Sequence, residues 1–155
     1  MRIHVLTVGE RMPAWVADGW SEYIKRMPRD ARVELHEIPP GKRLKNSPPE
    51  RAVMEEGQRM LDAIRPDWHV IALDGRGSIW STTELAGRFE QWKTMGCDIA
   101  LLIGGPDGLA ETCRQRAQCC WSLSNLTFPH PMVRVILAEQ LYRAWSLVQH
   151  HPYHR

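Results

Sequence analysis

The chain reads as an α/β domain whose sheet is mainly parallel and flanked by helices. Three observations lead there. Five short apolar runs alternate with stretches of helical periodicity along the 155 residues. The run from Asp98 to Ile103 is nearly all apolar, as a strand covered on both faces must be. No internal repeat or low-complexity segment breaks the alternation.

The elements follow in order. Met1 to Val8 is a strand carrying Ile3, Val5, Leu6 and Val8. Pro13 suits the first position of a helix, whose apolar residues Trp15, Val16, Trp20, Tyr23, Ile24 and Met27 recur until Pro28. Val33 to Ile38 alternates as a half-buried strand does. Pro39 to Pro49 is a loop by composition, with Lys42, Arg43 and Lys45 and no acid beside them. A second helix puts Val53, Met54, Gly57, Met60, Leu61 and Ile64 on one face. His69 to Leu73 is a short strand that should stop at Asp74-Gly75. Ser81 and Glu84 have capping-box spacing ahead of a helix striped by Leu85, Phe89, Trp92 and Met95. After the Asp98–Ile103 strand, Asp107 to about Gln118 forms a short helix, and "WSLSNLTFPHP" holds a last strand and a loop. Pro131 opens a long final helix with Val135, Ile136, Leu141, Trp145 and Val148 buried.

Composition narrows the function classes. With 43% hydrophobic and 25% charged residues, the chain has material for a core that needs neither disulfides nor a structural metal. A formal charge of +2 excludes a polybasic tail but not a nucleic-acid partner, since binding follows local clustering. The opening "MRIHVLTVGE" lacks the apolar stretch of a secretory signal, and no run approaches the ~18 apolar residues of a membrane span. The expectation is a cytoplasmic protein. Cys97, Cys113, Cys119 and Cys120 fit no zinc or redox spacing and read as reduced packing thiols.

Ligands of open parallel sheets bind beyond the carboxyl ends of the strands. Three ends stand out: Leu73-Asp74-Gly75, Ile103-Gly104-Gly105, and the loop from Leu123 to Phe128. A glycine-rich end by itself is a tight turn; three together indicate a pocket. The dinucleotide Gly-x-Gly-x-x-Gly fingerprint and the phosphate-binding Gly-Lys-Ser/Thr loop are absent, so a ligand held by backbone groups and apolar walls fits better. Gly104 and Gly105 would let backbone pass close to it.

The C-terminal "HHPYHR" contains His150, His151 and His154, but without regularly spaced further ligands no metal site is expected there. Arg134 and Arg143, nine positions apart on the last helix, read as a solvated basic face and cannot share one small ligand unless a second chain takes part. Glu139 and Arg143 form an i,i+4 pair. Val133, Ile136, Trp145 and Leu147 lie off any single stripe, which predicts a second copy packed on this helix.

The stretches "LLIGGPDGL", "LSNLTFPHPMVRVILAEQLYRAWSL" and "HPYHR", with "VGERMPAWVADGWSEYIKRMP" and "EIPPGKR", closely resemble the RlmH family of SPOUT methyltransferases over essentially the whole chain. The resemblance implies one SPOUT domain over residues 1–155 with a C-terminal trefoil knot, which the general rule against knots would not suggest. It implies a homodimer in which one subunit completes the other's pocket. It implies transfer of a methyl group from S-adenosyl-L-methionine to N3 of a pseudouridine in 23S rRNA of the large ribosomal subunit. Leu73, Gly104, Gly105, Leu123, Ser124, Asn125, Leu126, Thr127 and Phe128 match the family's cofactor-binding positions. Arg143, Tyr153 and His154 are the candidates for substrate binding and catalysis, with the proton acceptor unassigned among them. Two rival readings remain: a Rossmann-type methyltransferase with Asp74 on a ribose, against which the late position of the glycine turn argues, and a non-catalytic RNA-binding module using the Lys42–Arg43–Lys45 loop.

Overall fold

The computed structural model describes residues 1–154. Five strands form one parallel sheet: β1 (Arg2–Val8), β2 (Arg32–Ile38), β3 (His69–Ile79), β4 (Ile99–Ile103) and β5 (Cys119–Ser122), in the order β2-β1-β4-β3-β5. The all-apolar β4 is central and every one of its residues is buried. The alternating β2 is an edge strand.

Alternation in each strand divides the core into two layers. Ile3, Val5, Ile71, Ile99 and Leu101 face α1 (Ala14–Ile24), α3 (Thr82–Thr94) and α5 (His130–Val148), where Trp20, Phe89, Trp92, Leu137 and Leu141 meet them. Leu6, Val8, Val70, Ala100 and Leu102 face α2 (Glu50–Ala63) and α4 (Glu111–Arg116) through Met60 and Cys113. The Ser81 hydroxyl caps α3 by accepting from the Glu84 N–H at 3.0 Å. Gly19 lets α1 approach α5, for a Cβ there would lie 3.1 Å from Val135.

The structure departs from the sequence expectations at several places. β3 does not stop at Asp74-Gly75 but runs on to Ile79. Its register on β5 shifts between Leu73 and Ser78, both of which pair with Trp121, so residues 74–77 form a bulge. Gly77 permits that bulge, because a Cβ would overlap the Cys120 backbone at 2.5 Å. On α2 the inward residues are Ala52, Glu56, Gly57 and Met60, while Met54 is 71% exposed. Glu56 is drawn inward by hydrogen bonds, and Gly57 leaves room for Ala110. Arg43 is not a free cation: it donates to Glu56 at 2.7 Å and to Asp107 at 3.0 Å. The final helix buries Arg134, Leu137, Ala138, Leu141, Tyr142, Ala144 and Ser146, whereas Val135, Ile136, Trp145 and Val148 are only partly covered. Arg134 is therefore no solvated residue; it is 2% exposed and donates to Glu37 and to the Gly9 carbonyl, each at 2.8 Å.

Candidate cofactor site

Three loops converge at the carboxyl ends of β3, β4 and β5 around a cavity of about 610 Å³. The size lies within the usual range for small-molecule sites. Its walls include Leu73, Gly104, Gly105 and all six residues from Leu123 to Phe128, so the nine expected cofactor positions are brought together.

The loop after β4 is shaped by its own chemistry. Gly105-Pro106-Asp107-Gly108 is a turn closed by the Gly108 N–H on the Gly105 carbonyl at 3.1 Å. Pro106 presets the second position of such a turn, and Gly108 takes a φ of +83°. The need for glycine at 104 and 105 is internal to the fold and not imposed by a ligand. A Cβ on Gly104 would sit 2.4 Å from the Gly108 carbonyl carbon, and one on Gly105 would sit 2.9 Å from Val8 Cγ1. Both Cβ directions point into protein, which leaves backbone to form the cavity wall. A side chain added at Gly105 would therefore press on Val8 and not enter the cavity.

The loop after β5 is set by two serines. Ser122 Oγ donates to the Ser124 carbonyl, and Ser124 Oγ accepts from the Leu126 N–H, each at 3.0 Å. Such local bonds hold a turn where no ladder can form. Leu126 is 72% exposed, an apolar side chain held at the rim of the cavity.

Charge enters through Asp74, which the sequence placed at a strand end, and through Arg114 and His130, which no pattern signalled. The β3 bulge places the Asp74 carboxylate in the wall, 3.1 Å from Arg76 Nε and 3.3 Å from Arg114 Nη1. The bond from Arg76 holds the Asp74 carboxyl below its ordinary range despite partial burial. Arg114 also donates to the Leu109 carbonyl at 2.7 Å and pairs with Glu111, which fixes its guanidinium at the cavity. His130 lines the cavity too; burial, then the nearby Arg134 charge, hold its pKa below the usual histidine value. No spacing linked Asp74 to Arg114, because the pair is 40 residues apart and depends on the bulge.

A smaller cleft of about 230 Å³ adjoins, sharing Trp121, Leu123, Ser124 and Phe128 with the main cavity and ending at Gln140. The Gln140 amide donates to Glu139 at 2.9 Å. Glu139 in turn accepts from Arg143 Nε at 2.7 Å and from the Tyr153 hydroxyl at 3.3 Å. The tail thus folds back on α5, with the Tyr153 ring 4.6 Å from that of Tyr142 and the Arg143 guanidinium 5.0 Å from the Tyr153 ring centre. Burial, then the Glu139 charge, push the Tyr153 hydroxyl up to about 12. Arg143 and Tyr153 meet there, His154 follows Tyr153 in the terminal turn Pro152–His154, and none of the three lines the cavity. Glu139 stands nine residues beyond His130 on α5, about 14 Å along the helix axis. Arg155, part of the same expected tail, lies outside the described residues.

Fold and cavity together define a class: an α/β protein that binds a small molecule beyond its parallel strands. The family model described as "Predicted SPOUT methyltransferase" matches residues 1–154. The chain is 56% identical to the ribosomal RNA large subunit methyltransferase H of Methylococcus capsulatus, with both chains fully covered. It is 57% identical to the protein of that name from Thioalkalivibrio sulfidiphilus, over 100% of this chain and 99% of the relative. Among solved structures, a probable methyltransferase from Bordetella pertussis superimposes with a TM-score of 0.59 at 17% identity, over 92% of this chain and 93% of that one, a likeness of fold. The chain belongs to the SPOUT methyltransferase family. It is a methyltransferase, and its methyl donor is S-adenosylmethionine. The Rossmann-type alternative falls with that assignment.

Proposed function

We propose that this protein methylates N3 of a pseudouridine in 23S rRNA, acting on the large ribosomal subunit or the assembled ribosome. Relatives that are 53–57% identical over their full length carry the name ribosomal RNA large subunit methyltransferase, which supports the substrate class. The observation that carries the reading is the cavity where the β3, β4 and β5 loops converge.

The residues present fit the cofactor. Backbone N–H and C=O groups at Gly104, Gly105 and the Leu123–Phe128 loop offer partners for a purine edge, and Leu73 and Leu126 offer apolar cover. Asp74 and Arg114 supply one charge of each sign for the zwitterionic end of the cofactor. When bound, S-adenosylmethionine supplies a methyl carbon activated by a positively charged sulfur. The chain's own part would be to hold the pseudouridine N3 facing that carbon and to ease departure of the N3–H proton to solvent water, the products being N3-methylpseudouridine and S-adenosylhomocysteine. Holding N3 in line with the methyl group provides much of the acceleration.

The tail cluster is the proposed substrate side. Tyr153 keeps its proton at neutral pH, so it acts as a donor or as a stacking surface and not as the base. Arg143 offers a fixed positive charge beside it, which favours the deprotonated imide. The separation of this cluster from the cavity along α5 supports a homodimer in which the tail of one subunit meets the cofactor of the other. The partly covered Val133, Ile136, Trp145 and Leu147 on α5 suit such a contact. The trefoil knot belongs to the same reading. So do a single domain over residues 1–155 and a cytoplasmic location; no described helix is long and apolar enough to cross a membrane.

The test is methyl transfer from labelled S-adenosylmethionine to ribosomes lacking the modification, with the product nucleoside identified by mass spectrometry. N3-methylpseudouridine is expected. Cofactor binding without transfer to any ribosomal substrate, or transfer to a different nucleoside, would overturn the substrate assignment. RNA binding without heat on cofactor titration would favour the non-catalytic module.

A further inference from the structure

At the other end of the sheet from the cavity, the side chains of His4, Glu34 and His36 meet. Parallel pairing sets His4 opposite Glu34, and the two-residue repeat of a strand puts His36 on the same face as Glu34. His4 Nδ1 lies 3.0 Å from His36 Nε2 and 3.7 Å from Glu34 Oε2, and His36 Nε2 lies 3.9 Å from that oxygen. A triangle with these sides has its corners about 2.1 Å from a common centre, the length of a zinc–nitrogen or zinc–carboxylate bond.

We propose that His4, Glu34 and His36 form a binding site for a divalent transition-metal ion of the zinc type. Two imidazoles and one carboxylate are a ligand set that suits zinc and leaves a position open to water. Glu34 and His36 are partly exposed, so the ion has an entry path, whereas the His4 side chain is only 6% exposed.

The surroundings of His4 are those of a preorganised ligand. Its Nε2 lies 2.9 Å from Asp98 Oδ2. A carboxylate only accepts, so Nε2 carries the proton and the Nδ1 lone pair faces the site. This carboxylate–histidine–metal order is the usual way to orient a ligating imidazole. Trp68 stacks on the ring at 4.0 Å and 10°, which holds its plane. Arg2 is the competing cation, but it reaches Glu34 only at 3.8 Å and on the other oxygen, Oε1. Without an ion, the two imidazoles share a hydrogen bond.

The site joins β1 to the edge strand β2, so an ion there binds the folded chain and raises its stability by mass action. The experiment uses the full-length, chelator-treated protein, titrated with Zn²⁺ by calorimetry and with Co²⁺ by absorption spectroscopy. One ion per chain, a ligand-field spectrum of low coordination number, and a Zn²⁺-dependent rise in melting temperature are expected. His36→Gln should weaken binding at least about tenfold, and Asp98→Asn by about 10–100-fold, the usual cost of losing an outer partner. Metal-free His36→Gln should melt close to wild type, since the residue is partly exposed on an edge strand. Glu34→Gln provides a second ligand variant should His36→Gln fold poorly. No Zn²⁺ binding, equal binding in both ligand variants, or binding lost only when His150 and His151 are replaced would overturn the proposal.

Discussion

The Arg134 guanidinium, buried in α5, lies 2.8 Å from the Glu37 carboxylate at the end of β2 and donates its other arm to the Gly9 carbonyl. One side chain thereby ties the final helix to the ends of two strands. Removing it leaves the Gly9 carbonyl and Glu37 without their donor. Arg134→Ala should cost about 1–3 kcal/mol, the usual loss when a buried acceptor such as the Gly9 carbonyl is left unsatisfied, since Glu37 is 39% exposed and takes water in place of its partner. Urea unfolding measures this directly; a midpoint unchanged from wild type would show that the pair is not a stabilising tie.

Gly104 and Gly87 make a controlled comparison. A Cβ at Gly104 would overlap the Gly108 backbone, while one at Gly87, on α3 and away from the cavity, meets nothing within 4 Å. Gly104→Ala should displace the turn and weaken S-adenosylmethionine binding at least about tenfold, or ~1.4 kcal/mol. Gly87→Ala should bind the cofactor as the wild type does. Calorimetric titration of both variants separates them, and equal affinities would remove Gly104 from the cofactor wall. Gly105→Val is not a clean probe, because its side chain would strike Val8 and not the cavity.

Deleting residues 153–155 should leave cofactor binding nearly intact while methyl transfer falls at least about tenfold, which corresponds to ~1.4 kcal/mol of barrier. Loss of the Tyr153–Tyr142 contact will lower the melting temperature somewhat. Full turnover in the truncated protein would confine the site to the cofactor loops.

Shared sites allow complementation. If the tail of one subunit serves the cavity of the other, mixing Gly104→Ala subunits with tail-deleted subunits restores one complete site per mixed dimer. Activity should rise well above that of either variant alone. Sedimentation of the wild type as a monomer at full activity, or no gain on mixing, would refute the arrangement.

The pH dependence follows from Asp74. Its pKa is lowered in the folded state by Arg76, then by the Arg114 charge, against the opposing effect of burial. A lowered folded pKa contributes stability that is present above the unfolded value of about 3.9 and fades as pH falls through the folded value. Asp74→Asn should therefore melt below wild type at neutral pH, with the gap closing under acid conditions below about pH 4. A gap independent of pH would assign the effect to packing.

The five strands, the central place of β4 and the capping of α3 by Ser81 were legible in the sequence, since each depends on neighbouring residues. Alternation and apolar runs report which surface a segment buries. The nine positions that line the cavity were expected from the family resemblance, and periodicity alone identified no more than three strand ends. What pattern misjudged was settled by distant partners. β3 passes Asp74-Gly75 because β5 supplies a ladder and Gly77 admits the bulge. Glu56 turns inward and Met54 outward because Gly41 and Arg43 satisfy the carboxylate. Arg134 is buried because Glu37 and Gly9 receive its protons. The His4–Glu34–His36 cluster exists only because β1 and β2 pair in one register. A charged or polar side chain is buried where partners lie within hydrogen-bond reach, and those partners stand tens of residues away. Local sequence therefore determined which segments become strands and helices, and the tertiary structure decided where the charges go.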